Sequence, residues 1–361
     1  MIIVDAHLDL AWNMLTFDRD YTRSAAETRQ LERGKQAPEL NGDTMIGWPD
    51  FQRGRVAVVF STLFAAPIRR KHGQWDTQCY RDSGEAFSLY SEQLDIYDRL
   101  LDDHADKFRL VKQGSDLEET LSIWSHPDAN SEGHPVGLVM LMEGAEGVRA
   151  VRELESWWMR GVRIIGPAWA GNRFCGGTGE PGKLTQAGYE LLDAMAQLGF
   201  LLDLSHMDEE AAVQALEHYP GVILASHANA RALLNNLDSN RHLTDRLIQG
   251  IIERAGVIGI VPMNPFLVAG WKMTDGRDHV TLEHIAAQID HICQIAGDAE
   301  HVGIGSDFDG GFGLQSAPID IDTIADLVKL APFLDAKGYT QKDIDAIFGA
   351  NWIRCLKGAL P

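Results

Sequence analysis

Short apolar runs recur along the chain at Ile2–Ala6, Arg55–Thr62, Gly137–Met142, Val162–Ala168, Phe200–Ser205, Gly221–Ser226, Gly256–Pro262 and Val302–Ser306. They are apolar at consecutive rather than alternate positions, as a strand buried on both faces requires, and parallel sheets are where such strands usually occur. Between them lie stretches with helical spacing. Thr185 precedes Gln186–Leu198, Asp208 precedes Glu209–Tyr219, and Thr281 precedes Leu282–Ala296. Each is a residue type that caps a helix by accepting an unpaired backbone N–H. In the last stretch Leu282, Ile285, Ile289 and Ile292 share one face. Strand and helix therefore alternate, which predicts right-handed βαβ crossovers. Eight such units predict an α/β fold of the closed (β/α)8, or TIM, barrel type rather than an open sheet.

Two connections are long, residues 8–54 after the first strand and 63–136 after the second. The second holds an expected helix over Asp82–Asp103 and a polar, turn-rich region over Ser125–Pro135. Neither carries enough apolar sequence for a core of its own, so both are read as insertions on one barrel domain spanning 1–361. Ile321–Ala336 and Lys342–Leu356 are expected as closing helices. No internal repeat or low-complexity tract stands out.

In such a barrel the C-terminal ends of the strands converge on one mouth, so polar residues that end the apolar runs are the candidates for chemistry. The first run leads into Asp5-Ala6-His7-Leu8-Asp9, the third into Glu143, the fifth into His206, the sixth into His227 and the eighth into Asp307. His7 and Asp9 are two apart, which on a strand places them on one side, able to share an ion. His206 and His227 come from neighbouring strands and could hold a second ion. Glu143 is the natural bridge, since a carboxylate offers one oxygen to each of two metals. Imidazole and carboxylate together suit zinc or another first-row divalent ion better than calcium or magnesium. The histidines at 72, 104, 126, 134, 218, 279, 284, 291 and 301 are read as structural or surface residues.

Charge narrows the partners. With 32 Lys+Arg against 52 Asp+Glu, the formal charge is −20. Nucleic acid and anionic membrane surfaces repel such a chain. The uncharged stretch Ala255–Gly270 is broken by Pro262 and Pro265 and is shorter than the ~20 residues of a spanning helix. Cys79, Cys175, Cys293 and Cys355 form no CxxC pair, and the first residues, Met1-Ile2-Ile3-Val4-Asp5, lack a basic signal-peptide start. A reduced, cytoplasmic setting without a membrane anchor is expected. Gly177-Thr-Gly-Glu-Pro-Gly182-Lys183 matches the start of a P-loop, but Leu184 stands where Ser or Thr must bind magnesium, so the segment is read as a mouth loop. Asp307-Phe-Asp309-Gly is too short for an EF-hand.

Asp-Ala-His7-Leu-Asp9-Leu, Met-Glu143-Gly, Asp-Leu-Ser-His206, Ala-Ser-His227, Gly-Ile-Gly-Ser-Asp307-Phe-Asp-Gly and the C-terminal Gly-Ala-Asn351-Trp resemble, in order, the motifs of the membrane (renal-type) dipeptidases. These are the M19 metallopeptidases of the amidohydrolase superfamily. The resemblance implies a barrel with two zinc ions that hydrolyses dipeptides through a metal-bridging hydroxide, often with a D-residue on the C-terminal side. By match, His7 and Asp9 hold one zinc, His206 and His227 the other, and Glu143 bridges. Asp307 is the carboxylate that transfers the proton, and Glu143 is counted with it as catalytic. Arg241 lies where an arginine contacts the substrate carboxylate. A homodimer is also implied.

One position departs from the family. Where those dipeptidases carry a histidine after the fourth strand, this chain has Trp169. An indole donates one hydrogen bond but carries neither a proton nor a charge. Oxyanion stabilisation then falls on the metal, or on Asn172 or Arg173. Losing one such donor costs about 3 kcal/mol of transition-state stabilisation. Trp169, Asn172 and Arg241 are therefore the expected substrate-binding residues. The departure keeps two alternatives open, an amidohydrolase acting on a non-peptide amide and a metal-binding barrel with impaired catalysis.

Overall fold

The computed structural model describes residues 1–125, 133–234 and 239–361. Much of the Ser125–Pro135 region, including His126, lies outside the described residues. The eight expected strands form, with adjusted ends: β1 (Ile3–Leu8), β2 (Val56–Phe64), β3 (Val136–Glu143), β4 (Val162–Gly166), β5 (Leu201–Asp203), β6 (Ile223–Leu224), β7 (Ile258–Ile260) and β8 (Val302–Ile304). All neighbours run parallel, in the order β7-β8-β1-β2-β3-β4-β5-β6. A parallel bridge between Ala225 and Ile258 closes the ring, with Ala225 N donating to Val257 O at 2.9 Å.

The first three strands run further toward the mouth than their apolar runs, so His7 and Glu143 lie within the sheet. β5 and β6 stop earlier than expected. There the Asp203 carboxylate takes the N–H groups of Ser205 and Ser226, both at 2.9 Å, in place of ladder partners. A short strand that the apolar pattern did not mark, Phe108–Leu110, pairs with the start of β3.

The helices over Gln186–Leu198 and Leu282–Ala296 have the expected bounds, and the third is Glu209–His218. Thr185 and Asp208 accept N–H bonds as caps. The insertion after β1 folds as Leu10–Phe17, Ala25–Glu32, Ala37–Asn41 and Trp48–Gly54. That after β2 contributes Ser83–Asp103, capped by Asp82, and Gly114–Ser125. Met45, Phe51, Tyr90, Leu94 and Tyr97 from these insertions join the same buried cluster as the barrel strands.

The first closing helix differs from expectation. It begins as a 3-10 turn at Ile324–Leu330, opened by a Thr323–Asp326 capping box, and becomes α-helical only at Ala331–Ala336. Pro332, which lacks an N–H, fits at that change of hydrogen bonding. The second closing segment runs Gln341–Asp345, a π turn at Ala346–Ala350, then Asn351–Lys357. Gly349 lies in the π turn, where a Cβ would stand 2.8 Å from Ile2 O, so the chain packs directly on β1. Asn351 donates to Ala299 O and Val302 O at 2.7 and 2.8 Å, and Trp352 to Ile304 O at 3.0 Å, which ties this segment to β8. Among the described residues no helix is long and apolar enough to cross a membrane.

Candidate metal centre and substrate cavity

His7, Asp9, Glu143, His206, His227 and Asp307 converge at the C-terminal mouth. Glu143 is the hub. Its Oε1 lies 3.1 Å from His206 Nε2 and 3.4 Å from His227 Nε2, and its Oε2 lies 3.6 Å from His7 Nε2. His7 Nε2 is 4.0 Å from Asp9 Oδ1 and 3.9 Å from Asp307 Oδ1. Glu143-His206-His227, His7-Asp9-Glu143 and His7-His227-Asp307 each bring their ligand atoms within 4.8 Å of one another. Glu143 belongs to the first two, as a bridging carboxylate would.

The strand ends place these side chains and a surrounding layer fixes their rotation. Tyr90, on the helix over Ser83–Asp103, donates to Gly144 O at 2.8 Å and braces the end of β3. Asp9 precedes the helix at Leu10–Phe17 but makes no capping bond, and its carboxylate instead accepts from the Thr62 hydroxyl. Ser226 Oγ meets His227 Nδ1 at 2.8 Å and donates to Asp203 Oδ2 at 2.5 Å. Thr178 Oγ1 meets His206 Nδ1 at 2.9 Å. With each Nδ1 so engaged, the Nε2 atoms are the ones turned toward Glu143.

Three residues here, His206, Asp307 and Asp309, have φ of 66°, 57° and 66°, the left-handed region that non-glycine residues avoid. Such strain persists where surrounding contacts hold it. For Asp309 the contacts are plain. Its buried carboxylate accepts from Tyr21 OH at 3.1 Å, Met45 N at 2.9 Å and the Thr44 hydroxyl, and pairs with Arg19 at 3.2 Å. The insertion after β1 thus clamps the loop that carries Asp307. In that loop Gly310 leaves room for the site, since a Cβ there would stand 2.0 Å from Asp307 Oδ1 and would push that carboxylate aside.

The electrostatics suit cation binding. Burial opposes the charge on Glu143, yet His7, His206 and His227 hold its carboxyl well below the usual range. Burial and Arg241 push His206 down to about 4, and burial with His7 and Arg241 lowers His227 as well, so both imidazoles are neutral and have lone pairs to give. Burial works against a charged His7, but Glu143, Asp9 and Asp307 raise it to about 10. Burial, reinforced by Asp9 and Glu143, raises Asp307 well above the usual carboxylate range. These acids favour a positive charge among them, which a bound cation would supply directly. His7 Nε2 is buried without a hydrogen-bond partner, and the Nε2 atoms of His206 and His227 are 2.8 Å apart. An orphaned imidazole nitrogen, two converging lone pairs and a shared carboxylate are a donor set that fits metal.

The cluster opens into a cavity of about 420 Å3. Arg241 lines it and is only 5% exposed. Its Nη2 donates to His227 O at 2.8 Å, while Nε and Nη1 have no partner. A surface ion pair is therefore not its role. Burial lowers its pKa even with Asp307 and Glu143 near. Trp169 also lines the cavity, its ring 6.0 Å from that of His206. Asn172 and Arg173 do not. The Asn172 amide donates to Pro167 O and its oxygen accepts from Phe174 N and Cys175 N, so it holds its own loop. Arg173 points to Val148 O and Glu146.

Several contributors escaped the sequence reading. Asp203, Ser226 and Thr178 lie inside quoted motifs, beside His206, His227 and in the false P-loop, but their contacts are set by folding. Trp12, Phe64, Trp75, Met263 and Phe266 also line the cavity, together with Glu39, Asn41 and Asp76, and so does His72, read as a structural or surface residue.

The family model for membrane dipeptidase (peptidase family M19) matches residues 1–359. An uncharacterised protein in the pqqA 5′ region of Klebsiella pneumoniae is 33% identical over 286 residues, covering 76% of this chain and 97% of its own length. Dipeptidase tcpJ of Claviceps purpurea is 24% identical over 324 residues, 87% of this chain and 69% of its own. A metallo peptidase from Rhodobacter sphaeroides, liganded with a phosphinate mimic of the dipeptide L-Ala-D-Ala, superposes with a TM-score of 0.77 at 23% identity over 99% of both chains. Dipeptidase AC of family M19 gives 0.78 at 22% identity, over 100% of this chain and 99% of its own. By a match that spans nearly its whole length, the chain belongs to the membrane dipeptidases of peptidase family M19, a family of metallodipeptidases.

Proposed function

We propose that this chain hydrolyses dipeptides at a centre for two zinc ions, one held by His7, Asp9 and Glu143 and the other by His206, His227 and Glu143. Bound there, two divalent cations would polarise the scissile carbonyl and lower the pKa of an attacking water. The protein's own groups do the rest. Arg241 fixes the C-terminal carboxylate through Nε and Nη1, the two donors without a partner, and so restricts the site to short substrates. Asp307, at the strand end beside His7, takes the water proton and delivers it to the amine that leaves as the C–N bond breaks. Trp169 replaces a titratable group on the wall with an aromatic face, so carbonyl activation rests on the metal pair. A D-residue on the C-terminal side is included in the proposed range, following the L-Ala-D-Ala mimic bound by the Rhodobacter sphaeroides protein.

The observation that carries this reading is the sharing of Glu143 by two ligand groups, in one cavity with a buried arginine that has two free donors. Zinc-loaded protein should hydrolyse L-Ala-L-Ala or L-Ala-D-Ala. Asp307→Asn should lower kcat by about 10²–10⁴-fold with metal content unchanged. No hydrolysis of any dipeptide at two zinc equivalents per chain would overturn the reading. Trp169 favours one second reading, an amidohydrolase for non-peptide amides, which N-acyl amino acids cleaved in place of dipeptides would reveal.

A further inference from the structure

We propose that Trp169, braced by Phe64, makes the half of the cavity opposite Arg241 an aromatic box that selects dipeptides whose first residue has a large apolar or aromatic side chain. The inference rests on the dipeptidase reading and names the substrate class of that site.

The order of strands around the ring divides the cavity. Arg241 lies in the loop after β6, and Phe266 in the loop after β7. Across the barrel axis stand β2 and β3, with β4 beside them. Phe64 ends β2 directly beside Glu143, and Trp169 follows β4. A dipeptide whose terminal carboxylate pairs with Arg241 has its second residue on the β6–β7 side. Its first residue must then extend past the Glu143–His206 group toward Phe64 and Trp169.

That far wall presents four aromatic side chains, Phe64, Trp169, Trp12 and Trp75, with Glu39, Asn41, His72 and Asp76 among its polar edges. The rings of Phe64 and Trp169 meet edge to face, with centroids 5.2 Å apart at 61°. Trp12 and Trp75 meet likewise at 6.3 Å and 83°, and Trp75 stacks on Phe17 at 5.5 Å and 25°. Each loop ring thus rests on another ring, so the wall is set before substrate arrives. Among the described residues nothing accepts a hydrogen bond from the Trp169 indole, which is placed by packing alone. An aromatic or large aliphatic side chain would displace water from these faces, whereas an alanine methyl leaves them wet. The free α-ammonium of the substrate is also tolerated there, because tryptophan faces attract cations. A cavity of about 420 Å3 is near the small end of ligand pockets and has room for one bulky side chain.

The test compares Ala-Ala, Leu-Ala, Phe-Ala and Trp-Ala as substrates of the zinc-loaded protein. Phe-Ala should exceed Ala-Ala in kcat/KM by about 10–100-fold, the range a filled apolar pocket gives. Trp169→Ala and Phe64→Ala should each bring that ratio to within about threefold of unity, while Trp169→Phe keeps most of it. The ratio is internal to each variant, so partial loss of folded protein does not imitate the effect. A flat or inverted series in the parent protein, or an undiminished ratio in Trp169→Ala, overturns the aromatic box and leaves the dipeptidase reading standing. Failure to cleave any dipeptide overturns both.

Discussion

His206 and His227 approach the same Glu143 oxygen from adjacent strands, yet different parts of the molecule hold them. His227 leans on the barrel. Its Nδ1 meets Ser226, whose hydroxyl is anchored on Asp203, and all three residues are buried. His206 leans on the mouth, through Thr178 in the loop that follows β4. That loop is fixed in turn by Asn240, which donates to Gly177 O at 3.0 Å and accepts from Gly179 N at 2.8 Å, and by Glu180, paired with Arg69 and Arg70 of the second insertion. The difference teaches how a barrel divides labour. One imidazole is oriented by contacts within the sheet itself, while the other depends on the loops after β4 and β6 and on the second insertion.

The largest effect should come from the residue common to both sides. Glu143→Gln should lower turnover by on the order of 10³-fold or more and reduce bound metal below two equivalents, read by elemental analysis. Two retained equivalents would mean that the two histidines are not joined through this carboxylate.

The contrast sharpens in a pair of variants. Asp203→Ala strands the N–H groups of Ser205 and Ser226 and the Ser226 hydroxyl in the core, which should cost roughly 3 kcal/mol or more in urea unfolding of the metal-free protein. Thr178→Val removes one hydrogen bond from His206, whose side chain is 10% exposed at the mouth, and should cost about 1–2 kcal/mol. Both should weaken zinc retention in chelator competition by about 10–100-fold. Equal losses of stability would erase the distinction between barrel-held and loop-held ligands.

The smallest change is expected from Glu180→Gln. Its arginine partners are at least one-third exposed, at 51% for Arg69 and 37% for Arg70, so the stability cost should be below about 1 kcal/mol. A melting temperature several degrees lower would show that the loop is as integral as the strands.

Much of this was legible in the chain. Consecutive apolar positions marked all eight strands, since a strand covered on both faces has no side for polar residues. Glu143 and the five polar residues around it could be picked out because each follows such a run. Asn172 turns to its own loop rather than to the cavity for a physical reason. An amide two residues from a backbone N–H competes for it, and in this loop the local bonds took the whole side chain. Asp309 figures in the chain only in a motif too short for an EF-hand, because its partners Tyr21, Thr44 and Met45 lie more than 260 positions away in sequence.

By itself the sequence determined the barrel and the crown of imidazoles and carboxylates at its mouth, because strand burial and strand-end position are local, periodic properties of a chain. Only the tertiary structure decided which second partner rotates each imidazole, that Arg241 keeps two buried donors free, and that the rings of Phe64 and Trp169 meet. Those features depend on how strand ends and the loops after different strands meet at the mouth, and contacts between segments so far apart leave no period in the sequence.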